Sequence, residues 1–314
     1  MKSLMVLSGL ALLLQSHASA TAPTPEDATR TLGQVEQINK KPACDSWGSM
    51  SRLQKCREKM RRLYKDNVAN IHLFMGYGDA GGKPPVATDA IERAYLVQKL
   101  YAVCGVEPCG FRADPKNANH LSKSLPEGKK IVVKIYTSAL SDRDDLNRKN
   151  PKQAEHTKWM NEKFKTTLGS SEAVFYMGHS RDGGGPDFGP PVLDANGHTN
   201  YAWYRKHKPG LKMIQENMKK GTPELYGSFS CDSLKHFAAP IRKVNPDVIY
   251  FGTTRLAYYN YTNKVVNKVT LPDRITNSEA IDSTLLAIGG VANQKCEFNK
   301  TFKNNKQPTE ADYE

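Results

Sequence analysis

The sequence predicts an α/β domain with a mainly parallel sheet between two layers of helices, a three-layer α/β/α architecture. Short continuous apolar runs, typical of strands buried on both faces, alternate along the chain with longer segments of helical spacing. The runs are followed by glycine or small polar residues, the composition of strand-to-helix loops. Alternating strands and helices imply crossover connections, which pair strands in parallel.

Five apolar runs are predicted to be the strands of this sheet. The first is followed by a glycine-rich loop from Gly76 to Gly82, and the last by Gly252. The predicted strands are Ile71–Met75, Lys130–Thr137, Ala173–Met177, Leu225–Ser230 and Asp247–Phe251.

Helices are predicted from helix-forming composition and from apolar residues at helical spacing. One begins at Thr88 and ends near Gly105, and another begins at Asn150-Pro151 and ends at Gly169. A strongly basic face marks the first predicted helix of the chain. The remaining predicted helices span residues 51–67, 211–220, 233–244 and 278–289.

The N-terminal residues have the features of a secretory signal peptide. Lys2 precedes an apolar stretch from Leu4 to Leu14, and Ala18-Ser19-Ala20 is a small-residue cleavage site. We therefore expect a signal peptide (1–20), a leader and helix (21–67), the α/β domain (68–295) and a polar tail (296–314). No later segment reaches the roughly 18 apolar residues of a membrane span, so we expect an exported protein, periplasmic or extracellular.

The chain is basic, with a formal net charge of +13. The basic residues are scattered and lack the interleaved aromatic residues of a nucleic-acid motif. We expect a solvated basic surface rather than a nucleic-acid interface, and an anionic envelope surface is a further candidate partner.

Six cysteines in an exported chain favour disulfides. Short loops could be closed by the pairs Cys44–Cys56 and Cys104–Cys109. This leaves Cys231 and Cys296. A bridge between them would make Cys231 structural.

Two of the predicted strands end at residues that can perform acyl transfer. Ala173–Met177 runs into Gly178-His179-Ser180, and Leu225–Ser230 runs into Cys231-Asp232. The carboxyl ends of parallel strands lie at one edge of the sheet, where ligands bind. A cysteine between a strand and a helix gains thiolate character from the helix N-terminus, and an imidazole nearby can transfer protons.

The blocks AVFYMGHS and LYGSFSCDS resemble those of the caspase-like cysteine peptidases, the superfamily of caspases, gingipains, clostripain, legumains and separases. The order of strands and helices from Ile71 to Tyr259 is also similar to that family. The resemblance implies a caspase-like sheet and hydrolysis of peptide bonds in a protein or peptide substrate, without a metal or organic cofactor. It makes Cys231 the nucleophile, His179 the general acid/base, and the backbone from Gly178 to Ser180 and at Cys231 the oxyanion site. The family usually places glycine where this chain has Ser180.

Three further residues are candidate substrate-binding groups. Asp79 lies in the glycine-rich loop after the first strand, which we interpret as a rim of the site. Asp232 follows Cys231, although an acid in a first helical turn usually stabilises the helix. Arg255, just past the last strand, could bind a carboxylate or could be a surface arginine.

Two other functions fit the same residues. The chain could be a non-catalytic envelope or surface protein in which Cys231 is bridged or idle. It could also be a serine hydrolase with Ser180 in a nucleophile elbow, although Asp182 occupies a position that the elbow reserves for a small residue. The loop from His179 to His198 is rich in aspartate and histidine, but it lacks the ligand spacing of a metal site, and we expect a polar loop.

Overall fold

The computed structural model describes residues 50–80, 85–101, 110–253, 259–266 and 269–293. The predicted signal peptide, the leader before residue 50, the tail and Arg255 lie outside the described residues. Cys44, Cys104, Cys109 and Cys296 lie outside them too, so the structure does not test the predicted disulfides.

Eleven strands and eight α-helices are assigned within those ranges. The strands are β1 (Val68–Met75), β2 (Asp79–Ala80), β3 (Val86–Ala87), β4 (Arg112–Asp114), β5 (Asn117–Ser124), β6 (Lys130–Thr137), β7 (Ala173–Met177), β8 (Leu225–Phe229), β9 (Ile249–Gly252), β10 (Tyr259–Val266) and β11 (Val269–Ser278). The helices are α1 (Met50–Leu63), α2 (Thr88–Tyr101), α3 (Asp144–Lys149), α4 (Pro151–Ser170), α5 (Tyr201–His207), α6 (Pro209–Asn217), α7 (Ser233–Val244) and α8 (Glu279–Ala292).

The main sheet has seven strands in the order β4-β5-β6-β1-β7-β8-β9. The five strands from β6 to β9 are parallel to their neighbours. At the opposite edge, β5 pairs with β6 and β4 pairs with β5 in antiparallel orientation. The predicted fold class, a mainly parallel three-layer α/β/α domain, is confirmed.

Helices cover both faces of this sheet. Side chains alternate between the faces along a strand, so Leu73 and Met75 pack into one core and Phe74 into the other. Buried residues of α1, α2 and α8 complete the first core. Buried residues of α4, α6 and α7 complete the second. No helix in the described ranges is both long enough and apolar enough to cross a bilayer.

The strand order contains one reversal that matters for function. Across the sheet, the parallel strands lie in the order β6-β1-β7-β8-β9. The chain passes from β1 to β6 on one side of β1, and then to β7 on the other side. The order therefore reverses between β1 and β7, and open α/β sheets bind ligands at such a switch point, beyond the strand carboxyl ends. Asp79 follows β1 and His179 follows β7, so both residues lie at this edge.

Several elements were not predicted from the sequence. The β4–β5 and β10–β11 hairpins and the helices α3 and α5 lie in segments that were not assigned regular structure. In β5, only Leu121 is buried, so the strand has no apolar alternation to reveal it. Its place in the sheet comes from backbone pairing with β4 on one side and β6 on the other.

Candidate active site

His179 and Cys231 occupy equivalent positions beyond two adjacent parallel strands. In the pairing of β7 with β8, Met177 lies opposite Phe229, and each candidate residue follows its strand end by two positions. The N–H of Gly178 continues the ladder by donating to the carbonyl of Phe229 at 3.3 Å. Neighbouring strands are about 4.8 Å apart, so the two backbones leave the sheet side by side.

Cys231 lies in a tight turn between β8 and α7. Its side chain is half-buried and is a thiol in the structure. Asp232 has φ of 47° and ψ of 33°, a left-handed conformation that Asp tolerates better than most residues. The helix begins directly afterwards at Ser233, so the thiol lies close to its N-terminus.

Buried hydroxyl groups fix this turn to the end of β9. The Ser233 hydroxyl donates to the Ser228 carbonyl at 2.5 Å and accepts from the Thr253 N–H at 2.8 Å. The Thr253 hydroxyl donates to the Ser230 carbonyl. Because Ser230, Ser233 and Thr253 are all buried, water competes little for these bonds, and the turn that carries Cys231 is rigidly held.

The loop after β7 packs against the helix that follows Cys231. A Cβ atom on Gly183, which has φ of +84°, would lie 3.0 Å from Nδ1 of His236 in α7. Nε2 of the same imidazole is 3.7 Å from Oδ1 of Asp182. Burial is the main reason that the pKa of His236 lies below its usual value. These contacts hold the loop that carries His179 beside α7.

His179 lies against the carboxylate of Asp79, across the switch point. Its Nε2 is 3.3 Å from Oδ1 of Asp79, and the two side chains are 22% and 20% exposed. Nε2 is therefore the ring nitrogen that faces the carboxylate. A half-buried imidazole held by a carboxylate is the arrangement of a general acid/base.

Arg181 fixes the position of Asp79. Its guanidinium donates to Asp79 Oδ1 at 2.7 Å and to Asp187 Oδ2 at 2.8 Å, and its side chain is 1% exposed. Tyr204 donates its hydroxyl to the same Asp187 oxygen at 3.1 Å, and Thr199 donates to Asp79 Oδ2 at 3.2 Å. A buried arginine between two carboxylates thus forms the floor of the site.

The electrostatics of this cluster keep Asp79 ionised. Burial opposes the charge, but the contact with His179 and the charge of Arg181 outweigh it and hold the pKa of Asp79 well below its usual value. The carboxylate is therefore negative at neutral pH.

Two glycines bring the ends of β1 and β7 together. Cβ atoms on Gly76 and Gly178 would both overlap the hydroxyl end of Tyr176, and that on Gly178 would also lie 3.1 Å from the Gly76 Cα. The Tyr176 hydroxyl then donates to the His179 carbonyl at 2.9 Å. The glycines therefore serve close packing that fixes the path of the chain at His179.

A buried carboxylate supports the loops beneath the site. Asp89, in the first turn of α2, accepts from the Gly78 N–H at 3.0 Å and from the Ala139 N–H at 2.8 Å. Burial raises the pKa of Asp89 to about 7, against the effect of these backbone donors. Asp89 thus ties the loop after β1, which carries Asp79, to the loop after β6.

The other predicted site residues have distinct surroundings. Ser180 is buried with φ of −75° and ψ of −17°, an ordinary right-handed conformation rather than the strained turn of a nucleophile elbow. The N–H of Gly178 is engaged by Phe229, whereas within the described ranges those of Ser180 and Asp232 have no backbone acceptor. Of the backbone groups predicted for the oxyanion site, the Gly178 N–H is therefore already engaged in the sheet.

The aspartate- and histidine-rich loop is occupied by protein contacts. Asp182 binds Arg205, and Asp194 accepts from backbone N–H groups of its own turn. Within the described parts of the chain, no group of three or more His, Cys, Asp or Glu side chains is arranged to hold a metal ion.

The chain has little similarity to known proteins. No protein-family model matches it, and no curated protein matches it. Among solved structures, it is similar to a dimerization-deficient mutant of Toc33 from Arabidopsis thaliana, with 12% identity over 83% of this chain and 96% of that chain. The TM-score is 0.25, which is too low to support an inference about fold or activity.

Sequence reasoning did not assign roles to Arg181, Asp89 or Thr253. Arg181 follows His179 by two residues, and an arginine in a glycine-rich loop usually indicates a surface residue. Asp89 has the appearance of an ordinary first-turn acid. The sequence does contain an indication for Arg181. A buried arginine needs acidic partners, and Asp187 follows Arg181 by six residues.

Proposed function

We propose that the protein is an exported cysteine endopeptidase with Cys231 as the nucleophile and His179 as the general acid/base. The observation that supports it most is the pairing of β7 with β8, which sets the two residues level beyond adjacent strands. A protein or peptide would bind along the carboxyl edge of the sheet, and export rests on the signal-peptide features of residues 1–20.

The proposed reaction has two steps. The Cys231 thiol gives its proton to His179, and the thiolate attacks the carbonyl carbon of the scissile peptide bond. The imidazolium of His179 then protonates the leaving amine, and an acyl-enzyme remains on Cys231. In the second step His179 takes a proton from water, the hydroxide attacks the thioester, and the thiol is regenerated with a carboxylic acid product.

Asp79 would orient the imidazole rather than contact the substrate. Its carboxylate lies 3.3 Å from Nε2 of His179 and is fixed by Arg181, so it favours one ring orientation and the imidazolium that forms in each step. The N–H groups of Ser180 and Asp232 are the proposed donors to the oxyanion of the tetrahedral intermediate.

The test is cleavage of a peptide library by the wild type, Cys231→Ser and His179→Ala. Both variants should lose on the order of 100-fold or more in kcat/KM, because each removes one partner of the proton transfer. Ser180→Ala is the matched control, since it removes the rival nucleophile from the same loop and should retain cleavage. Loss with Ser180→Ala and retention with Cys231→Ser would instead establish the serine hydrolase.

A non-catalytic surface protein is the alternative. It predicts no cleavage by the wild type under any condition, and no change in ligand binding when Cys231 is replaced.

A further inference from the structure

A row of basic side chains crosses three strands on one face of the sheet. In the strand pairing, Lys134 of β6 lies opposite His72 of β1 on one side and His120 of β5 on the other. All three residues are half-buried. Paired residues project from the same face of a sheet, so the three side chains are neighbours.

Helix α4 adds a second lysine to this row. Nζ of Lys163 lies 5.6 Å from the centre of the Tyr136 ring, and Tyr136 is two residues from Lys134 on the same face. The Tyr136 hydroxyl is 3.2 Å from Nδ1 of His72. The cationic patch is therefore the set His72, His120, Lys134, Tyr136, Lys163 and the neighbouring Trp159.

Within the described ranges, the two lysines of the patch form no salt bridge. Across the described part of the chain, the ion pairs of lysine involve residues such as Lys59, Lys65 and Lys165, but neither Lys134 nor Lys163. Burial and then the charge of Lys163 lower the pKa of Lys134. Burial, followed by Lys134, Lys163 and His120, lowers the pKa of His72 to about 3. His72 is therefore uncharged at neutral pH, and the two lysines supply the positive charge that attracts an anion.

An exposed aromatic side chain borders the patch. Trp159 is 48% exposed, although it is among the largest apolar side chains of the protein. Its ring lies 6.1 Å from Tyr136 and stacks on His156 at 5.4 Å. Ligand sites commonly combine such an aromatic platform with a few placed charges.

We propose that the cationic patch binds a sugar ring that bears a phosphate or sulfate group. The oxyanion lies between Lys134 and Lys163, and the ring lies on Trp159. The compact shape favours this ligand over nucleic acid, because neutralising a phosphodiester backbone requires cations spaced along several phosphates and a series of stacking aromatic residues. The proposal does not depend on the peptidase function.

The test is titration of the full chain with a heparin-derived tetrasaccharide as the sulfated sugar probe. The double variant Lys134→Gln, Lys163→Gln should weaken binding at least tenfold. The matched control is Lys152→Gln, Lys158→Gln, which removes the same charge from exposed positions of the same helix and should weaken binding less than threefold. Trp159→Ala should also weaken binding, by at least threefold. The first double variant should melt no lower than the wild type, because it relieves repulsion.

Several results would overturn the proposal. Equal losses in the two double variants would show attraction to net charge alone. A single-stranded 12-nucleotide DNA that binds more tightly than the saccharide, with the same dependence on Lys134 and Lys163, would identify the patch as a nucleic-acid site. Two results would show that the sugar ring does not contribute to binding. One is inorganic phosphate or sulfate that binds as tightly as the saccharide, and the other is an unchanged affinity in Trp159→Ala. Failure of the wild type to bind would refute the site itself.

Discussion

Replacement of Arg181 by methionine tests the buried charge cluster. Methionine keeps an unbranched apolar stem of similar reach but leaves Asp79 and Asp187 without the guanidinium that binds both. Removing one partner of a buried ion pair costs about 3–5 kcal/mol. Because the two carboxylate side chains are 20% and 14% exposed, we expect the lower end, about 3 kcal/mol of unfolding free energy.

The loss should be visible in both thermal and chemical unfolding. For a domain of this size, about 3 kcal/mol corresponds to a melting temperature lower by about 6–12 °C. The control is Arg205→Met, which breaks an ion pair with Asp182 whose side chains are 57% and 39% exposed and should cost about 0.5 kcal/mol or less. Adding Asp79→Asn and Asp187→Asn to Arg181→Met should recover part of the loss, because the uncompensated charges disappear.

The pH dependence gives a further check on the cause. Asp79 has a folded-state pKa below its unfolded value near 3.8, so its pairing stabilises the wild type above about pH 4 and is lost at lower pH. Without Arg181, burial disfavours the ionised carboxylates, and the penalty grows as pH rises. The difference in stability between wild type and variant should therefore be larger at pH 7 than at pH 4. A loss under 1 kcal/mol, or a triple variant as unstable as the single one, would refute the reasoning.

Two other substitutions address single carboxylates. Asp79→Asn should lower kcat about tenfold with little change in KM. Positioned proton transfer contributes roughly 10²–10⁴-fold to the rate, and the variant impairs only the orientation of the His179 imidazole. An effect confined to KM would instead indicate that Asp79 contacts the substrate. Asp89 has a folded-state pKa of about 7, above its unfolded value. Its effect on stability is therefore favourable at low pH and is lost as pH rises from about 4 to 7. Asp89→Asn should flatten the dependence of urea unfolding on pH in that range. An unchanged slope would show that another group titrates.

The sequence reveals those parts of the fold whose side chains are apolar in a regular pattern. The buried strands β7 and β8 are short and mostly apolar, so the sequence alone locates their ends close to His179 and Cys231. The β5 strand could not be located in this way, because seven of its eight residues are not buried and its pattern is that of a loop. Backbone pairing with β4 and β6, rather than an apolar pattern of side chains, defines it.

In the candidate site, too, some features can be predicted from the sequence and others cannot. Cys231 and His179 lie at equivalent positions because each follows the end of a strand, and the local sequence determines where those strands end. The contact of Asp79 with His179 depends on which strands are neighbours, and β1 and β7 are separated by about a hundred residues of chain. Arg181 is still harder to predict, because only the assembled loop shows that a charged side chain is buried between two acids.

The central claim is that Cys231 is a nucleophile activated by His179, and the rate of thiol alkylation tests it most directly. Iodoacetamide should label Cys231 without reductant, and intact-mass and peptide-mass analysis should locate one fast adduct there. In His179→Ala, the rate at pH 7 should fall at least tenfold, because less of the thiol is present as thiolate. The account is contradicted if Cys231 remains unlabelled until reductant is added, or if its labelling rate is the same with and without His179.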